Sequence, residues 1–333
     1  MPSANQLTVE RITVFPVKSC HYVELSECEV DNMGIKHDRR FMIINADTNR
    51  FVTQRKYSSL CLLRPSFDEA QNILTLNADG QEPLTLPLKQ DLSKLERREV
   101  RLWKSALNVF DMGDEAAQWL SEFLRNHVEH DIRNNHNKDD PIREDDPIIP
   151  ARLVTLDDPK NGVYSRPAHP KLNGAHSSFT DWSPISFGFS SSLKELNKGM
   201  VETGFSKGEE IPMIRFRNNI TISGTLPWEE DEWLVVKVGG VTMYILQPLG
   251  RCSVPGIDQD TGNKKLWDGK GPIDYLKMTR KFAEEPNDGQ FCCDVVPLTT
   301  GKIRVGDRVE VLERIPQEYR CGPLPRSAVL GEE

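Results

Sequence analysis

The sequence contains no apolar run long enough to cross a bilayer. Its longest stretch free of charge in the apolar second half is about Val238 to Gly250, against the roughly 18 residues a spanning helix needs. No C-x-x-C pair occurs among the seven cysteines at 20, 28, 61, 252, 292, 293 and 321. An odd count in a chain this long points to reduced thiols rather than a disulfide framework. Also missing are G-x-G-x-x-G, the P-loop, G-x-S-x-G and the kinase set, which removes the commonest nucleotide-binding and hydrolase readings. Basic residues do not dominate: 42 Lys and Arg face 50 Asp and Glu, a formal net charge of −8, which argues against general binding to nucleic acid or anionic membranes. The opening MPSANQLTVERITVFPVKSC has neither an apolar signal core nor an Arg/Ser-rich amphipathic helix, so no targeting signal is read. There is no internal repeat.

What is present is a chain of 333 residues, enough for two domains or one large β-rich one. Residues 7–110 alternate in short apolar runs, at Val9-Ile12-Val14, Phe41 to Asn45, Ile73 to Leu76 and Val100 to Phe110. Turn-forming pieces such as Asp31-Asn32-Met33-Gly34 and Ala78-Asp79-Gly80 separate them, which predicts an all-β sandwich or barrel. After Gly113, residues Ala116, Leu120, Phe123 and Leu124 recur at helical spacing behind an acidic first turn. Residues 133–150, rich in Asn, Asp and Pro, read as a polar linker. The expected division is therefore 1–132, the linker 133–150, a second unit 151–314 and a tail 315–333. In the second unit, strands are expected near Ala151–Leu156, Ile214–Phe216, Trp233–Val238 and Val241–Gln247, with Gly239-Gly240 as a hairpin turn. Helices are expected from Ser190, as N-cap, to Asn197 and from Pro272 to Lys281.

Four pieces carry candidate chemistry. Lys18 and Ser19 close the first strand, where an ammonium and a hydroxyl could hold a phosphate. Arg39, in Asp38-Arg39-Arg40-Phe41, opens another strand and could clamp the same anion. Strand alternation would put Arg215, Arg217 and Asn219 on one face, exposed or turned to a polar anionic ligand. Cys252 follows Arg251 in a loop rich in Gly and Pro, the setting for a metal-ligating thiolate. His127, His130 and His136 have irregular metal-ligand spacing and read as a solvated helix end; Cys292-Cys293 receives no chemistry.

Taken in order, V-x-P-V-K-S-C, D-R-x-F, G-x-x-A-A-x-W-L around Gly113, S-P-I at Ser183, R-x-N-I at Arg217 and R-C followed by D-x-D-T-G resemble the MOSC family, in the branch of the amidoxime reducing components. The resemblance runs from about Val9 to Leu312. It implies a mainly β (α+β) fold, an N-terminal β-barrel module before a MOSC-type β-barrel domain with a few peripheral helices. It implies a molybdenum-molybdopterin cofactor whose metal binds Cys252. Lys18, Ser19 and Arg39 then resemble the residues that hold the pterin phosphate, and Ser183, Arg217, Asn219 and Arg251 those that hydrogen-bond the pterin. Two positions depart from the pattern: Leu249-Gly250 and Pro255-Gly256 stand where Cys-Ser and two threonines are common, close to the expected metal, where neighbours tune a ligand.

The implied activity is reduction of small N-hydroxylated compounds (amidoximes, hydroxylamines, N-oxides), without pyridoxal phosphate. Electrons would come from outside, from a b-type cytochrome and its flavin reductase, because the chain has no flavin, dinucleotide or clustered-cysteine motif of its own. Asp258 and Asp260, close to Cys252, are the candidate proton donors, with Asp258 taken as the catalytic one. The expected location is cytoplasmic or mitochondrial-associated. Two other readings remain: a non-catalytic carrier of molybdenum cofactor or sulfur, and a metal-free interaction module.

Overall fold

The computed structural model of the chain describes residues 6–135, 142–143, 146, 148–156, 166–167, 176–282 and 287–319. His136, Cys321, half of the expected linker and most of the expected tail lie outside them. Strands dominate, with four α-helices among the described residues: α1 (Asp114–Asn126), α2 (Val128–Asn134), α3 (Ser190–Glu202) and α4 (Pro272–Thr279). None is long and apolar enough to cross a membrane.

Strands Arg97–Leu102, Ser105–Asp111, Ala151–Thr155, Phe41–Asn45 and Arg50–Phe51 close into a barrel in that order. Alternation does the sorting: Val100, Leu102, Leu107 and Val109 meet Met42, Ile44 and Val154 in one core, while Arg97, Glu99 and Arg101 face water. The central strand Phe41–Asn45 is buried on both faces. Its Phe41 and Ile43 join α1 through Leu120 and Phe123, and a three-stranded meander through Leu74, Leu76, Leu84 and Leu86. That double burial explains a continuous apolar run, Phe-Met-Ile-Ile, where one-sided strands alternate. The expected single run Val100 to Phe110 is in fact a hairpin, turning at Trp103-Lys104.

The second layer is an eight-stranded sheet in the order Val23–Leu25, Thr8–Val14, Ile220–Ser223, Ile185–Phe189, Gly289–Pro297, Val241–Arg251, Trp233–Val238, Val309–Arg314. Its two ends curl together, with Val309 N–H donating to Leu7 O at 2.9 Å and Val9 N–H to Asp307 O at 2.9 Å. Ile185–Phe189 and Ile220–Ser223 run parallel, a pairing that requires a crossover, and α3 supplies it. Trp233, Phe187 and Phe189 centre its core.

Strand pairing crosses the composition break at 133–150: Thr8–Val14 belongs to the large sheet and Ala151–Thr155 to the barrel. Three expectations about single elements are corrected. Residues 214–216 are not a strand but a 3-10 turn, Met213–Phe216, after which Arg217 is left-handed at φ 53°. Ser190 is the first residue of α3 rather than its cap, its hydroxyl bonded to Glu10, and α4 ends at Thr279 rather than Lys281.

Candidate active site

The first strand carries the chain from one sheet to the other. Beyond Val14 it leaves the large sheet and lies beside the barrel: Phe41 N–H donates to Pro16 O at 3.1 Å and Lys18 N–H to Phe41 O at 2.8 Å. Lys18 and Ser19 therefore project at the seam between the sheets. From the other side, strand Val241–Arg251 ends at the same seam and delivers Arg251 and Cys252. Between them lies a cleft of about 260 Å³ whose lining includes Lys18, Ser19, Arg39, Ser183, Arg217, Asn219, Arg251 and Cys252. The eight residues expected to hold the cofactor or its metal thus meet at one place, whereas Arg215 and Asp258 do not line it.

Lys18 is buried, and its Nζ donates to Phe179 O at 2.9 Å and Asp181 Oδ1 at 2.5 Å. Desolvation pulls the Asp181 carboxyl upward, but Lys18 overrides it and holds the group well below the usual carboxylate range. Arg39 is anchored by the buried carboxylate of Asp38 at 2.5 Å, which also accepts from Phe15 N–H. The guanidiniums of Arg39 and Arg217 both lie over the Phe15 ring, 4.5 and 4.1 Å from its centre, cation–π contacts that offset their repulsion. Burial and then Arg39 lower Arg217 to about 9, which leaves it charged at neutral pH. Ser19, Arg39 and Arg217 all take left-handed backbone conformations, φ 69°, 50° and 53°. Each costs about 1–2 kcal/mol in a residue with a Cβ, and such strain concentrates at functional sites.

A buried amide pair ties the two sides of the seam. Gln54 Nε2 donates to Ser19 O at 2.6 Å, Gln54 and Gln259 exchange amide bonds, and Arg217 Nη1 donates to Gln259 Oε1 at 2.8 Å. Asn219 is a stitch of the sheet: its Oδ1 accepts from Ser186 N–H and its Nδ2 donates to Thr13 O. Arg251 donates from Nη2 to Phe216 O. Cys252 is an exposed free thiol beside it.

Asp258 stands apart, because it is not among the residues lining the cleft. Its Oδ1 accepts from Asp260 N–H, Thr261 N–H and Thr261 Oγ, and its Oδ2 pairs with Arg215 at 2.9 Å. Against the upward pull of burial, Arg215 and the loop amides hold it ionised, with its pKa lowered. A carboxylate committed as an acceptor on every side is the anchor of its loop. Arg215, 4% exposed, points into this pairing, so it does not share a face with Arg217 and Asn219.

Other lining residues had not been singled out from the sequence: Gln54, Trp103, Asp181 and Asp294. Asp294 left a signal, a lone acid inside Phe-Cys-Cys-Asp-Val-Val, a run buried throughout. Trp103 left none beyond being a bulky residue in a two-residue hairpin turn. Its indole N–H donates to Asp181 at 3.1 Å. Away from the cleft, the Nδ1 of His127 is bonded to Phe123 O at 2.8 Å.

Residues 6–127 match the MOSC N-terminal beta barrel domain and residues 175–310 the MOSC domain. The chain is 30% identical over 314 residues to mitochondrial amidoxime reducing component 2 of Macaca fascicularis, covering 91% of this chain and 82% of that protein. It is 28% identical over 323 residues to mitochondrial amidoxime-reducing component 1 of Homo sapiens, covering 92% and 83%. Molybdenum cofactor sulfurase of Homo sapiens is 25% identical over 270 residues, 77% of this chain but only 27% of that larger protein. With both modules matched in order and a relative at that identity aligned over nearly its whole length, the chain belongs to the MOSC-domain family.

Proposed function

We propose that the protein is a molybdenum-cofactor-dependent oxidoreductase that reduces N-hydroxylated compounds with electrons from an external haem and flavin chain. The observation that carries this reading is the exposed Cys252 thiol at the end of a cleft whose arginines still have donors to give. Arg217 Nη2 and Arg251 Nε are buried without a protein partner, a costly state unless an anion meets them. The donor set fits a molybdopterin: Lys18, Ser19 and Arg39 suit its phosphate, Arg217 and Arg251 its polar ring edge, and Cys252 a soft metal ligand. Among the described residues no cluster of three His, Cys, Asp or Glu could hold a metal, so Cys252 would be the protein's one ligand and the pterin would bring the rest.

When bound, such a cofactor supplies two-electron chemistry at nitrogen-bound oxygen. The chain's own share is to hold and orient it. Phe15 fixes the two guanidiniums, the Gln54–Gln259 pair fixes the seam, and Asp258 with Arg215 fixes the loop that follows Cys252. The relatives' names support amidoxime reduction as the activity and the mitochondrion as the place of work. The sulfurase match supports a second reading, a module that carries the cofactor without turnover.

The deciding measurement is molybdenum per chain on wild type and Cys252→Ala, expressed in a host that makes the cofactor, with benzamidoxime turnover measured on both using a reduced viologen as donor. Near-stoichiometric metal with turnover in wild type, and loss of turnover in the variant, is the expected result. Metal without turnover would favour the carrier. A folded wild type without metal or pterin would overturn both.

A further inference from the structure

Asp294 lies in the wall of the cleft, 3% exposed, in the middle of the fully paired strand Gly289–Pro297. Its neighbours settle where its proton is. Ser183 Oγ is 2.7 Å from Ile185 O and 2.6 Å from Asp294 Oδ1, while Val295 N–H donates to it at 3.3 Å. A serine hydroxyl has a single hydrogen and cannot donate to two oxygen acceptors at once. Two oxygens at 2.6–2.7 Å with no hydrogen between them repel. The conflict disappears if the carboxyl is neutral: Asp294 Oδ1–H donates to Ser183 Oγ, and Ser183 O–H donates to Ile185 O. We infer that Asp294 takes up a proton as a neutral carboxylic acid in the cleft wall and supplies it to the N–O bond being reduced there.

The surroundings agree. Burial pushes Asp294 up to about 6; the Ser183 hydroxyl, which turns to the carboxylate once the proton has left, the Arg251 guanidinium and Gln247 oppose it, and Asp181 helps. The charged groups facing it are thus Arg251, from the strand on one side, and Asp181, from the loop ahead of Ile185–Phe189 on the other. Its own strand adds the buried thiols of Cys292 and Cys293, both driven upward by burial. Asp181, facing Lys18, and Asp258, paired with Arg215, are both held ionised with lowered pKa values and have no proton to give. Asp294, by contrast, is a buried lining carboxyl set against a serine hydroxyl that can either accept its proton or donate to its carboxylate, the arrangement a proton donor needs.

The step balances. Cleavage of an N–OH bond takes two electrons and two protons, gives an N–H group and releases the oxygen as water. The two electrons arrive one at a time, in two transfers from the external haem donor of the proposed function, on which this delivery step rests. Asp294 gives one of the protons and solvent water the other, and as a carboxylate Asp294 accepts the Ser183 hydroxyl until solvent reprotonates it.

Two measurements test this. The first needs neither cofactor nor turnover: infrared spectra of the protein labelled with 13C-carboxyl aspartate, titrated between about pH 4 and 8. A protonated carboxyl band with a midpoint near 6, absent from Asp294→Asn, is expected. An Asp294 ionised throughout would overturn the inference, and wild type alone shows that even if the variant misfolds. The second is the pH–rate profile of the loaded enzyme. Wild-type kcat falls above the midpoint, and Asp294→Asn loses about 100-fold in kcat and that limb of the profile, with little change in KM. Equal kcat and an unchanged profile in the variant would overturn delivery alone. A wild type that carries metal and a protonated Asp294 but reduces nothing would overturn delivery together with the proposed function.

Discussion

Arg39 Nη2 donates to the backbone oxygen of Arg217 at 3.0 Å, and both guanidiniums rest over one phenylalanine ring. Two like charges from opposite sheets are thereby fixed side by side, an arrangement that stores repulsion until an anion arrives.

Replacing one of them tests this. Arg217→Met keeps the volume over Phe15 and removes the charge, the bond to Gln259 and the unpartnered Nη2. The apoprotein is expected to melt within a few degrees of wild type, because the lost bond is offset by relief of repulsion. Retention of molybdenum after gel filtration should drop at least about tenfold, the effect of one charge-assisted hydrogen bond. A large fall in melting temperature with full retention of metal would assign Arg217 to the fold alone.

Asp258→Asn separates the expected proton donor from the loop anchor. Arg215 would lose its ion-pair partner while 4% exposed, and leaving a buried charge unmatched costs about 3 kcal/mol. Chemical denaturation should show that loss, with the pH dependence of turnover unchanged in shape. Intact stability with an altered pH profile would return Asp258 to the chemistry.

Glu230 makes stability depend on pH. It is 3% exposed, accepts from Ser192 Oγ at 2.9 Å, and burial pushes it up to about 8. Its folded pKa lies above the unfolded value, so the native state binds the extra proton. Stability from this group is full below about pH 4.5 and falls as pH rises toward 8, by an amount on the order of a few kcal/mol. Asp294 adds a smaller slope of the same sign, complete by about pH 6. Denaturant midpoints of Glu230→Gln should therefore be flatter than wild type across pH 6 to 8, where Glu230 acts alone of the two. Parallel curves would mean Glu230 is ionised when folded.

Gly34 sits at φ 101° with Pro184 against it: a Cβ there would fall 2.5 Å from Pro184 O. Gly34→Ala combines backbone strain with a clash against main chain that cannot move freely. We expect a loss of about 2–4 kcal/mol and, because Pro184 follows Ser183, a shifted Asp294 midpoint in the infrared titration. A variant as stable as wild type would show that the loop yields.

Much of the cleft was legible because its side chains carry their chemistry in type and order. Lys18, Arg39, Arg217 and Cys252 are recognisable wherever the chain folds them. What could not be read were features set by distant partners. Arg215, Arg217 and Asn219 match a period of two, yet a carboxylate 43 residues away captures Arg215, and the turn that results leaves Arg217 left-handed. The polar stretch at 133–150 looks like a boundary, yet Ala151–Thr155 returns to complete the first barrel, a closure decided by which strands have edges to cover. Asp294 was hidden because its meaning depends on one serine hydrogen, which only the folded geometry counts.

The cleft lies on the seam between the barrel and the large sheet, with Lys18, Ser19 and Arg39 on one bank and Arg251 and Cys252 on the other. Whatever fills it is also a rivet. A ligand gripped from both banks resists their separation, and its affinity is added to the work of prising the two sheets apart. Were the proposed cofactor the ligand, losing it would remove that tie, and limited proteolysis of the seam should quicken as cofactor is withheld.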